Sequence, residues 1–99
     1  MTIQSEQLNQ NTVVSLSGRL DTNSAAQFEL SLKPLIEGTT DIIFDFKDLS
    51  YISSSGLHVV LQTLKAMKKD KRKLVIKNMC AQVKEVFEIT GVINLITVE

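Results

Sequence analysis

The chain has 99 residues, one domain's worth, and is 43% hydrophobic and 22% charged, which suits a folded unit built around one core. Eleven basic side chains balance eleven acidic ones, so no net charge favours nucleic acid or an anionic membrane. A single cysteine, Cys80, and a single histidine, His58, exclude an internal disulfide and a multi-cysteine metal site.

The opening residues lack both the basic and the apolar regions of a secretory signal, and no apolar run approaches the ~20 residues of a membrane span. A cytoplasmic protein with a reduced, buried Cys80 is the expectation. Residues 3–8 and 12–17 are predicted strands, with Asn9-Gln10-Asn11 as the turn between them. Asp21, Thr22, Asn23 and Ser24 all suit the N-cap of a first helix, and Ser24 with Gln27 fits a capping box. Ala25, Phe28, Leu32, Leu35 and Ile36 share one face of that helix. Pro34 predicts a kink or an early stop near Lys33.

Residues 41–46, DIIFDF, read as a strand buried on both faces. A loop, Tyr51-Ile52-Ser53-Ser54-Ser55-Gly56-Leu57, leads into a helix over about 54–69, whose Leu57, Val60, Leu61, Leu64 and Met67 keep helical spacing. A short strand at 73–76, a helix at 81–90 stopped by Gly91 and a last strand at 94–98 complete the chain. The order β-β-α-β-α-β-α-β implies an α/β fold: one domain over 1–99, with helices packed on a mixed sheet of four or five strands.

Few residues offer chemistry. Ser54 and His58 stand four apart, yet the serine loop lacks the two flanking glycines of a nucleophile elbow, and no oxyanion loop accompanies it. No phosphate-binding Gly-rich loop occurs. Lys65, Lys68, Lys69, Lys71, Arg72 and Lys73 cluster at a predicted helix end, where cations offset the negative pole of the helix and keep the turn solvated. Aromatics make up only 5% of the chain, too few for stacking on nucleic acid. Asp45 and Asp48, towards the carboxyl end of a predicted strand, are expected to flank the serine loop. The serines lie at a helix N-terminus that suits an anion, and a phosphate added there would bring about −1.5 to −2 charges. The residues by themselves lead to a phosphorylatable or anion-accepting loop.

Three segments then resemble the STAS domain family, most closely its bacterial anti-sigma factor antagonists. Gly18-Arg19-Leu20-Asp21 resembles the family's G-x-L-D element. Residues 41–45 followed by LSYISSSGL resemble its strand and D-S-S-G-L signature, and KNMCAQVKEVFEITGV resembles the run into its third helix. The resemblance implies a STAS-like fold and a binding switch with no catalysis, metal or cofactor. In its unphosphorylated form such a protein binds an anti-sigma factor and frees a sigma factor. The anti-sigma factor doubles as a serine kinase that ends the binding, and a serine phosphatase restores it.

Aligned on the signature, the phosphoacceptor is Ser54, which is also expected to cap the second helix, with Ser53 and Ser55 as alternative acceptors. The partner-binding face is expected to hold Asp21, Tyr51, Ser53, Ser55, Gly56, Leu57 and His58. Nucleic acid and membrane insertion are not expected. Ser53 stands where the family usually has aspartate. The chain ends after its last predicted strand, where many members add a helix, so an uncovered sheet face is expected. An alternative within the family is a scaffold or nucleotide-binding subunit of a lipid-transport or stress-sensing complex.

Overall fold

A computed structural model describes residues 1–99. Strands β1 (Thr2–Leu8) and β2 (Asn11–Leu20) form an opening hairpin. Its two-residue turn holds Asn9 at φ 59°, a left-handed conformation that asparagine tolerates better than most residues. Then come α1 (Thr22–Ile36), β3 (Asp41–Ile52), α2 (Ser54–Lys69), β4 (Leu74–Lys77), α3 (Ala81–Ile89), a 3-10 turn at Val92–Asn94 and β5 (Thr97–Val98). The five strands lie side by side in chain order, β1 antiparallel to β2 and every later pair parallel. The expected mixed α/β sheet is therefore present, with five strands.

The three parallel crossovers all step in one direction, and right-handed connections then place α1, α2 and α3 on one face of the sheet. Burial agrees. Val14, Leu16, Phe44, Phe46 and Ile76 are buried beneath the helices, while Val13, Ser15, Ile43, Asp45, Val75 and Lys77 on the opposite face stay half exposed. The core is one cluster of 21 buried residues. At its centre Phe28 of α1 meets Phe44, whose ring stacks on Phe46, with centroid separations of 5.4 and 5.7 Å.

Four elements differ from the sequence reading. β2 does not stop at Ser17 but runs through Gly18 to Leu20. β3 does not stop at Phe46 but runs to Ile52. Its register against β2 slips twice, between Asp45 and Asp48 and between Leu49 and Tyr51, so β3 carries one extra residue at each slip. Buried positions therefore fall three apart, at Phe46, Leu49 and Ile52, instead of two apart, and the alternation that marks a strand is lost. α1 also passes Pro34 without stopping. The proline sits in the last turn, where few helical hydrogen bonds remain to be broken. Lastly, β5 shrinks to two residues, because the chain after Gly91, at φ 78°, first makes a 3-10 turn.

Arg72 holds the far end of α1. Its Nε donates to the Thr40 carbonyl at 2.8 Å, Nη1 to that of Ile36 at 2.7 Å and Nη2 to that of Leu35 at 2.8 Å, with only 7% of the side chain exposed. The sequence reading placed Arg72 in a solvated cluster. It is instead a buried fork that satisfies helix-end carbonyls.

Candidate functional site

At the carboxyl edge of the sheet, β2 and β3 end as neighbours on Leu20 and Ile52, and each strand turns at once into a helix. The Ser53 N–H still donates to the Leu20 carbonyl at 2.8 Å, so the two helix starts are tied together. Asp21 caps α1. One carboxylate oxygen accepts from the Ser24 N–H at 3.0 Å, and the Ser24 Oγ accepts from the Asp21 N–H at 2.9 Å. This reciprocal pair is the capping box, and Gln27 has no part in it. The Ser24 N–H and hydroxyl, the Asn23 N–H and the nearby Arg19 charge hold the Asp21 carboxyl below the usual carboxylate range, against an opposing desolvation effect.

Ser53 caps α2, accepting from the Gly56 N–H at 3.2 Å on its Oγ. The sequence reading gave that task to Ser54. The structure makes Ser54 the first helical residue, exposed, with its hydroxyl free of the cap. Gly56 is buried, and a Cβ there would stand 2.6 Å from Leu20 Cγ and 2.8 Å from Leu20 Cδ2. Its role is close packing of α2 onto the sheet edge. Leu57 is likewise only 6% exposed. Both residues, expected on the binding face, support that face from below.

Of the other expected residues, Tyr51 and His58 are exposed, while Asp21, Ser53 and Ser55 are half-buried. Ser54, Ser55 and His58 share a hollow of about 420 Å³ between α1 and α2 with Thr22, Ala26 and Glu29. On the other side of the same edge the Arg19 guanidinium lies 4.1 Å from the centre of the Tyr51 ring, a cation–π pair in solvent. The sequence reading did not single out Arg19 or Glu29 for the site. Arg19 stood inside the quoted G-x-L-D element, whereas nothing local marks Glu29, which reaches the hollow only through the packing of α1 on α2.

Asp45 does not flank the serines. It lies seven residues before Ile52, about 20 Å along an extended strand. There it accepts from the Lys47 N–H and from Asn78 Nδ2, at 3.0 and 3.1 Å, bracing the turn out of β4. Asp48, on the same stretch of β3, sits at the first register slip. Cys80 is half-buried, its thiol 3.5 Å from the Leu49 carbonyl. No three His, Cys, Asp or Glu side chains are grouped to hold a metal ion. No helix is long and apolar enough to cross a membrane. The edge thus offers an exposed hydroxyl at a helix start, an adjacent hollow and an exposed Arg–Tyr pair, a surface suited to modification and to docking.

Comparison with known proteins gives matches over almost the whole chain. A sequence model described as the STAS domain matches residues 2–99. The anti-sigma-B factor antagonist of Bacillus subtilis (strain 168) is 34% identical over 91 residues, which cover 91% of this chain and 84% of that protein. The anti-sigma factor antagonist SpoIIAA in its unphosphorylated form superposes with a TM-score of 0.86 at 25% identity, over 99% of this chain and 88% of that one. SpoIIAA from Bacillus in the phosphorylated form shares the fold as well, with a TM-score of 0.78 at 24% identity, over 99% and 91% of the two chains.

Proposed function

Because the chain belongs to the STAS domain family, we propose that it is an anti-sigma factor antagonist whose binding is switched by phosphate on Ser54. Unphosphorylated, it binds an anti-sigma factor that is also a serine kinase, and a sigma factor is released. Phosphorylation of Ser54 ends the binding, and a serine phosphatase restores it. The protein acts in the cytoplasm and performs no chemistry of its own.

The observation that carries this reading is the division of labour between two adjacent serines. Ser53 takes the cap of α2, which leaves the Ser54 hydroxyl on the exposed first turn, open to a kinase. Modifying Ser54 therefore leaves the helix cap intact. Ser55 is half-buried and Ser53 is engaged, so both are poorer acceptors. The first turn of a helix also tolerates the new charge, since its unpaired N–H groups and positive pole face it.

The docking surface is the exposed rim of the same edge, with Tyr51, Ser54 and His58 exposed and Asp21 half-buried at the head of α1. A phosphate there changes this rim by about two negative charges, next to the carboxylate of Asp21. A partner surface fitted to the neutral hydroxyl is repelled, or left with a desolvated charge. Incubation with ATP and the cognate anti-sigma kinase, followed by intact-mass measurement and peptide mapping, tests this. One phosphate on Ser54 supports the proposal, and a phosphate outside residues 53–55 contradicts it.

A further inference from the structure

We infer that His58 is a positioning residue for the phosphate on Ser54, an inference that rests on Ser54 being the modified residue. The two residues stand four apart in α2, on one helical face and with Cβ atoms about 6 Å apart. Side chains on a helix lean towards its N-terminus, so the imidazole of His58 covers the turn that carries Ser54 and Ser55. Both Ser54 and His58 line the hollow between α1 and α2, and its volume of about 420 Å³ leaves room for a phosphate.

The charges around this hollow single out the imidazole. Glu29 faces it from α1, and Asp21 stands at the head of that helix. Thr22, Ala25, Ala26 and Val59 complete the lining without charge, so His58 is the one lining residue that can become a cation. On its own helix the nearest lysine, Lys65, is two turns further on, and Arg19 lies over Tyr51. The two ion pairs of the molecule, Arg72–Asp70 and Lys77–Glu99, lie elsewhere, which leaves the imidazole unengaged.

A phosphoserine loses its second proton near pH 6 and then carries two negative charges. An imidazolium held over the same turn favours that dianion, so His58 stabilises the phosphorylated state in a way that Ser54 alone does not.

Phosphorus NMR of the chain with phosphoserine installed directly at position 54 tests the inference, because it needs no kinase. Failure of Ser54 as a kinase target would appear in peptide mapping and would leave this titration readable. The second ionisation of the phosphate should fall about half a unit lower in the native sequence than in His58→Gln. His58→Lys, which keeps a cation at the same place, should keep the low midpoint. Coincident midpoints in the native and His58→Gln chains, or a Lys variant that titrates like the Gln variant, would overturn it.

Discussion

Gly56 and Leu20 touch so closely that a methyl group on Gly56 would sit 2.6 Å from Leu20 Cγ. The start of α2 can rest against the end of β2 only because position 56 has no side chain. That contact fixes the height at which Ser53, Ser54 and Ser55 stand above the sheet edge. Gly56→Ala is expected to lower stability by about 1–3 kcal/mol, as overpacking does, despite alanine's better helix propensity. Urea denaturation measures this. The penalty should shrink in a Leu20→Ala background, since the clashing atoms are then gone.

Ser53 and Ser54 separate cleanly by stability. Ser53→Ala removes the hydroxyl that accepts from the Gly56 N–H and should cost about 1 kcal/mol. Ser53→Asp, another good cap, should recover most of that loss. Ser54→Ala removes no cap and should stay within about 0.5 kcal/mol of the native chain. Thermal or urea unfolding of the three variants gives the order, and a larger loss at Ser54 than at Ser53 would reverse the assignment.

Arg72 should prove the most sensitive of the basic residues. Arg72→Ala removes the guanidinium donors to the carbonyls of Ile36 and Thr40, and to that of Leu35, which keeps the Gly38 N–H at 3.1 Å, and is expected to cost about 3 kcal/mol. Arg72→Lys recovers little, because a single ammonium cannot reproduce the planar fork. Alanine at the exposed Lys68 or Lys69 should change stability by less than about 0.5 kcal/mol.

Asp21 links the site to pH. Its carboxyl titrates below the ordinary value, chiefly through the hydrogen bonds from Ser24, so the folded state favours the carboxylate. The resulting stabilisation is fully present above the ordinary carboxylate range, near pH 4, and is lost as pH falls through the lowered value. Asp21→Asn keeps a capping side chain but cannot titrate. The stability of the native chain should therefore fall more steeply than that of the variant on acidification below about pH 4, as read by unfolding curves at stepped pH.

How much of this the sequence disclosed depends on the range of the interaction involved. The apolar spacing from Leu57 to Met67 gave α2 its correct limits, and the β-branched run before Gly18 gave the heart of β2, because both patterns are local. β3 was cut short at Phe46 because its two extra residues belong to its register with β2, which no local alternation reports. Ser53 was passed over as the cap in favour of Ser54. The choice between neighbouring serines turns on where the chain leaves β3, and that is set by the bond from Ser53 N–H to Leu20. Gly56 and Arg72 were visible as residues but not as contacts, since their partners lie 36 or more positions away or, for Arg72 and Thr40, 32 away. The hollow between α1 and α2 arises only once those helices pack.

The most direct measurement is the affinity of the anti-sigma partner for the native chain, Ser54→Ala, Ser54→Asp and the chain carrying phosphoserine at position 54. The native chain and Ser54→Ala should bind alike. Ser54→Asp should bind at least about tenfold more weakly, a difference of about 1.4 kcal/mol, and the phosphorylated chain more weakly still. Equal affinity across all four would contradict a switch at Ser54.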